Sequence, residues 1–516
     1  MEVNMKKEKM LKRNIQIGPT CGGRNQFRLG KKKINITVMA ALILTIFVFP
    51  QICMSDPYDI TMGTPHEYDE EKGGRNNIMS PIDDFHYLCL YAGYTGMVVI
   101  LTVDPDDWSI TTETSYQYDE DGDYMGLSRI DTTHYLLTYC GGYEEAYASI
   151  FSIDFADWSI TTETTIMYDD EFGYYNALSK IDDTHYLGVH NMWDVTGKAG
   201  IFTVILDAWS ITYGTEYIFE PESGYDFMLS RIDDTHHLCV YPSQGYIYGG
   251  RAVVLVVDPN NWTVTTPMAP FSFATDCDAY SFLSRIDDTH FLCTYQGPDS
   301  DGWAVILTVN TNDWSISMET PFEYDEELGG EPNLSKIDST HFLCAYKGED
   351  ADGYAVVLTV DPIDWSISKE TPFEFDEMRA DYPYLCKIDD AHYLCSYEGP
   401  GLDGWAVVLN VELPGVGKVE DEIISNIFRL SNFPNPFNPE TTINYQLSED
   451  SEVELIIYNI KGQKVKTLVN EVLPAGNHSV IWNGRDSNGN RVSSGIYFYK
   501  LQAGDYHKVR KMILLK

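Results

Sequence analysis

Seven copies of Ile-Asp-x-x-His are the first residues in this chain whose types could do chemistry. Their histidines are His86, His134, His185, His236, His290, His341 and His392, spaced 48, 51, 51, 54, 51 and 51 residues apart. Catalysis needs one asymmetric constellation, and a residue that recurs in every repeat does not make one. Each repeat histidine is therefore expected to bond the turn aspartates beside it. Cys89, Cys239, Cys293, Cys344 and Cys395 fall three residues after a repeat histidine and read as small buried hydrophobes. No Cys-x-x-Cys is present, so a zinc site is not expected. Cys386 lies across a predicted hairpin from Cys395, where an oxidising compartment would permit a disulfide.

Acidic turns carry the strongest chemical signal. Two of them read Asp299-Ser300-Asp301-Gly302 and Asp350-Ala351-Asp352-Gly353. Clustered carboxylates suit Ca²⁺, which takes hard oxygen ligands. Asp299, Asp301, Asp350 and Asp352 are the candidate ligands, although the spacing is shorter than a full calcium loop and a solvated acidic turn is the plainer reading. No cofactor is required. A basic residue recurs at Arg129, Lys180, Arg231, Arg285, Lys336 and Lys387, with Pro81 at the first copy. It makes either an anion site or, the preferred reading, an ion pair with the aspartate two residues on. Just after the acidic turns stand Met97, Tyr147, Lys198, Arg251, Trp303, Tyr354 and Trp405. Aromatic rings there could stack on sugars or pack between repeats. Specificity has to come from departures from the repeat. The second unit departs most, with His190-Asn191-Met192-Trp193-Asp194. His190, Trp193, Arg251, Trp303, Tyr354 and Trp405 are the candidate ligand-binding residues.

The elements that position these residues follow from one period. In 333–376 the runs 334–337, 341–346, 354–360 and 365–375 read as strands A to D, separated by glycine and aspartate turns, with no helical period. Four antiparallel strands per repeat make a propeller blade. Strands A, B and C occur seven times, but D follows C only six times. The missing D strand is at the start, where 60–70 matches 367–377 and Tyr58 takes the place of Trp365. The sequence therefore predicts an all-β, seven-bladed propeller over 56–412, closed by its N-terminal strand. Pro65, Pro267, Pro321 and Pro372 fall in strand D, an outer edge where a missing N–H is tolerated. The Asp-Pro-x-x-Trp-Ser-Ile turns loosely resemble the Asp-box of sialidase-type propellers, which implies a structural aspartate and tryptophan.

The chain has 516 residues and a net charge of −43, and the acidity lies between its two ends. That charge argues against nucleic acid or anionic lipid as a partner, while 13% aromatic residues supply several cores. Residues 1–55 read as a basic N-terminus and secretory signal: Lys31-Lys32-Lys33, an apolar run over 34–49, then small residues. The run is shorter than the ~20 residues of a spanning helix. After a linker at 413–430, residues 431–516 read as a small β-sandwich of short alternating strands. Its motifs include Phe433-Pro434-Asn435-Pro436-Phe437-Asn438-Pro439, Ile457-Tyr458-Asn459-Ile460-Lys461-Gly462, Trp482-Asn483-Gly484-Arg485-Asp486 and Gly495-Ile496-Tyr497-Phe498-Tyr499-Lys500. These resemble the C-terminal sorting domain of type IX secretion, which is immunoglobulin-like and similar to a domain of flagellar hook-capping proteins. The resemblance implies a partner in type IX-like secretion machinery, engaged through 431–516. It also implies release to the medium or the outer-membrane surface of a Gram-negative bacterium.

The expected protein is a secreted or surface monomer that binds a glycan or protein without catalysis. The alternative is a polysaccharide-degrading enzyme, a glycosidase or lyase on the propeller scaffold. A glycosidase needs two carboxyls about 5–10 Å apart in a cleft, which sequence does not supply.

Overall fold

The computed structural model describes residues 58–413 and 430–514, apart from 71–72, 94, 143, 171–172, 192–195, 222–223, 244–248, 276, 278, 434–436, 448–450 and 504–505. The signal segment 1–55, most of the linker and Trp193 lie outside the described residues.

Seven antiparallel sheets, each built as a blade, contain 58–413. Blade 6 is representative. Its strand A is Gly330–Lys336, B is His341–Lys347, C is Gly353–Val360, and D is split into Ile367–Lys369 and Phe373–Asp376. Strand D is continuous in the first two blades, Ile110–Asp119 and Ser159–Asp169, which lack the proline. Pro65, Pro321 and Pro372 lie in the break between the two halves of D rather than inside a strand, where no ladder N–H is needed; blade 3 breaks at the same place, at Gly214-Thr215-Glu216, without a proline. The last blade is completed from the other end of the chain. Ile60–Met62 and His66–Asp69 both pair with Gly404–Val411, placing Ile60 opposite Val411 and Glu67 opposite Trp405. Tyr58 N donates to Glu412 O at 2.6 Å and seals the seam.

Strands B and C are buried on both faces, as in His392–Glu398 and Gly404–Val411. They read as continuous apolar runs because each blade is sandwiched between two others. The core is correspondingly divided. One cluster joins Leu343, Val357 and Ala345 of blade 6 to Cys395, Val407 and Leu409 of blade 7, and similar clusters join other blades.

The cysteine pairing permitted by the sequence does not form. Register sets Cys386 opposite Leu394 and Cys395 opposite Leu385. Neighbouring residues on a strand point to opposite faces. Cys386 accordingly packs with Cys89 in one cluster and Cys395 enters another, both free.

The C-terminal unit is a two-sheet sandwich. Leu430–Phe433, Thr441–Leu447 and Gly476–Trp482 form one sheet; Lys464–Leu473, Ser451–Asn459, Gly495–Ala503 and Tyr506–Leu514 form the other. Trp482, Tyr499, Leu455 and Ile443 fill the space between them.

Candidate functional site: the mouth of the central channel

Three of the sequence features are scaffold. Each repeat histidine places Nδ1 2.8–3.0 Å from its turn aspartate, as in His236 to Asp233 and His392 to Asp389. Burial works against charge on Asp233, but the Thr235 amide and His236 outweigh it and hold the carboxyl below its ordinary range. The other face of each imidazole stacks on the C–D turn aromatic of the next blade. His236 lies 3.6 Å from Trp314, His185 3.5 Å from Trp262, and His392 3.6 Å from Trp108 across the closure. Tyr58 substitutes for tryptophan against His341 at 4.0 Å. All seven of these aromatics have positive φ, between 44° and 69°. That conformation is costly for a side chain this large, and the stack recovers the strain.

Four of the six basic residues, Lys180, Arg231, Arg285 and Lys387, form ion pairs, but with the aspartate three residues on rather than two; Arg129 and Lys336, which have Thr132 and Ser339 there, bond backbone carbonyls instead. Arg231 Nη2 meets Asp234 at 2.7 Å and Lys387 Nζ meets Asp390 at 3.3 Å. A strand carries residue i+2 on the same face, but the turn begins at once and its aspartate carbonyl, not its carboxylate, takes the guanidinium. Each cation also reaches a backbone carbonyl of the preceding blade: Arg285 to Arg231 O at 3.0 Å, Lys387 to Ile337 O at 3.0 Å.

The candidate ligand residues are spread over several blades. His190 is buried, with Nε2 3.2 Å from Asp169 and 3.5 Å from Glu216. These three groups converge closely enough to hold a metal ion, but the Lys198 ammonium lies 2.7 Å from both carboxylates and serves as their cation. Burial works against the charge on Lys198, but the hydrogen bonds it donates to those carboxylates outweigh it and raise the lysine above its ordinary range. Trp303 and Trp405 lie so close to Gly297 and Gly399 that a Cβ there would stand 2.3 and 2.4 Å from the indole. These rings pack on the B–C turn, as does Tyr354 on Gly348. Arg251, half-buried in strand C of blade 4, pairs in register with Tyr241 and Ser272. Asp299 and Asp350 sit at φ 57° and 59° in short 3₁₀ turns. Asp301 and Asp352 approach Glu323 and Glu374, and both glutamates are raised. Glu323 is half-buried and Glu374 exposed, so each pair sets two carboxylates side by side at the edge of a blade.

A different set of residues surrounds a cavity. Its volume is about 370 Å³ and strand A of every blade lines it, a size in the range of small-molecule sites. The second residue of strand A, or in blade 4 the residue two before the strand begins, has positive φ in all seven blades: Asn76, Tyr124, Tyr175, Asp226, Tyr280, Glu331 and Tyr382, at 46° to 54°. Register shifts mark this position as a bulge in blades 1, 2, 3, 5, 6 and 7. A bulge re-aims a side chain, and here it brings one residue per blade to the cavity wall. Strand A starts at the D–A turn, so this mouth opens on the face of the acidic D–A and B–C turns.

The ring is chemically uneven. Tyr124 and Tyr175 stand 4.6 Å apart and Tyr280 and Tyr382 6.0 Å apart, both couples edge to face. In ring order Asp226 separates the two couples. Burial pushes its carboxyl up to about 7, against the Tyr280 amide that it accepts. Burial likewise pushes Glu331 up to about 7, opposed by Lys347 and by the Tyr382 amide that donates to it. No Lys, Arg or His is among the residues lining the cavity.

Sequence reasoning missed this ring, although a signal was present. All seven residues stand ten positions before their repeat histidine. That column holds tyrosine in four copies and Asn, Asp or Glu in the other three, and it precedes the apolar run by which strand A was recognised.

No curated protein matches the chain. Among solved structures it is similar to the periplasmic gluconolactonase of Pseudomonas aeruginosa, at 12% identity and TM-score 0.47 over 77% of this chain and 99% of that one. It is also similar to PorZ, a surface component of the type IX secretion system of Porphyromonas gingivalis, at 11% identity and TM-score 0.37 over 85% of this chain and 59% of that one. Residues 436–506, within the C-terminal sandwich, match the family model of the FlgD Ig-like domain.

Proposed function

We propose that this is a secreted or cell-surface bacterial propeller, exported through a type IX-like system by its C-terminal Ig-like domain. In this reading it binds a glycan or protein group, without catalysis, at the channel mouth. One observation carries the binding reading. The histidine, aromatic-turn and basic positions keep their residue class in nearly every blade, as structural repeats do. The channel position keeps one backbone conformation in all seven blades yet reads Asn, Tyr, Tyr, Asp, Tyr, Glu, Tyr. A fixed scaffold with varied chemistry facing one cavity is what ligand specificity requires. The sorting motifs and the FlgD Ig-like match support the export reading.

The alternative of polysaccharide cleavage draws on the same cavity, since Asp226 and Glu331 are carboxyls tuned near neutrality. A glycan and peptide array combined with a reducing-end assay separates the two readings. Binding without turnover, lost on Tyr175→Ala, supports the binding protein. Release of reducing ends, lost on Glu331→Gln, supports the enzyme.

A further inference from the structure

We propose that the channel mouth accepts a cationic nitrogen group, the side chain of a lysine or arginine presented by a basic segment of a partner protein. This rests on the reading of the channel as the ligand site.

The propeller supplies its own comparison. At the interface of blades 2 and 3, where Asp169 and Glu216 converge, the chain provides Lys198 at 2.7 Å from each. A buried carboxylate needs such a partner. At the mouth, Asp226 has no cation within 4 Å among the described residues. The nearest ammonium to Glu331, on Lys347, stands 3.8 Å away and leans to Asp381 at 2.7 Å. Among the described residues Asp226 lacks the cation that completes the other cluster, at the place where a cavity opens.

The surroundings select for the same chemistry. Two tyrosine couples flank Asp226, and the negative face of an aromatic ring attracts a cation within about 6 Å. Their rings line the cavity wall and offer it aromatic surface. The mouth opens among the acidic turns of a chain with net charge −43, and clefts lined by one sign of charge concentrate counter-ions. With no basic residue on the wall, a phosphate, sulfate or uronic acid would meet repulsion alone. A volume of about 370 Å³ accommodates an extended side chain rather than a folded surface, so the partner has to present that side chain from a flexible segment.

Isothermal titration of the full chain with acetyl-Gly-Ser-Lys-Ser-Gly-amide tests this, against the same peptide carrying Nε-acetyllysine. The lysine peptide is expected to bind at least tenfold more tightly, and Asp226→Asn, nearly isosteric, should remove at least tenfold of that affinity while the melting transition persists. Equal binding of both peptides, or unchanged binding by Asp226→Asn, overturns the proposal. A parallel titration with neutral oligosaccharides separates it from the broader reading. Saccharide binding lost on Tyr175→Ala and kept on Asp226→Asn leaves the channel as the ligand site and rejects the cation. Binding of no probe rejects both.

Discussion

Replacing Asp226 by asparagine should stabilise the propeller at alkaline pH and leave it unchanged in acid. The carboxyl ordinarily titrates at 3.8 and is pushed up to about 7 in the fold by burial. Between those two values the unfolded chain has lost its proton while the folded chain keeps it. Stability therefore falls as pH rises through this window, and the loss is complete above the folded value. At 1.36 kcal/mol per decade of proton concentration, the span corresponds to ~4 kcal/mol. The side chain is half-buried at the cavity wall, and that exposure screens about half of this and leaves ~2 kcal/mol. Asparagine keeps the shape and cannot ionise. Urea denaturation followed by tryptophan fluorescence should place Asp226→Asn ~2 kcal/mol above the parent at pH 8, with the gap closing toward zero at pH 4. A constant gap at both pH values, or a destabilised variant at pH 8, would show that the carboxylate is satisfied within the fold. In that case the channel stores no strain for a ligand to relieve.

Trp314→Ala should lower propeller stability by about 2 kcal/mol through loss of the His236 stack. Trp314→Gly should lose less, because glycine adopts φ near 60° without strain; the reverse order in thermal melting would contradict the stacking account. Deleting 56–70 removes the strands that pair with Gly404–Val411 and should give aggregated protein, so a truncated chain that melts like the parent would refute closure. Deleting 431–516 should leave a folded propeller trapped in the periplasm, and normal surface display of that chain would refute the sorting role. If Asp301 and Asp352 bind Ca²⁺ together with Glu323 and Glu374, millimolar Ca²⁺ should raise the melting temperature above matched Na⁺, and Asp301→Asn with Asp352→Asn should abolish the gain. Equal curves would reduce these pairs to solvated rims.

Periodicity made the scaffold legible. A histidine every fifty or so residues, with an aspartate three before it, reports a turn that must be rebuilt seven times, so blade number and the His–Asp bond could be read directly. Tyr58 in the tryptophan register disclosed the closing strand. What periodicity cannot report is contact between repeats. The stack of His86 on Trp158 joins residues 72 apart, and neither residue signals its partner. The channel ring was hidden for the opposite reason. Its conserved property is a backbone angle rather than a residue type, and Asn76, Asp226 and Tyr280 share no side-chain chemistry. The strand C positions attracted attention by their aromatics, yet Trp303 and Trp405 are large because Gly297 and Gly399 leave room for them.

The closing strand also dictates an order of events. In six blades the outer strand follows its partner within a few residues, so each sheet can zip as soon as it exists. In the seventh, Ile60 meets Val411, about 350 residues later, and contacts this distant are the slow ones. The strand made first must wait for the strand made last. Until 404–411 is available, the blades can stack only as an open arc. The Trp108–His392 and Tyr58–His341 stacks, and the seventh wall of the channel, form together at the end. The ligand mouth therefore matures late, since its seventh wall, Asp381–Lys387, is among the last parts of the propeller to be made.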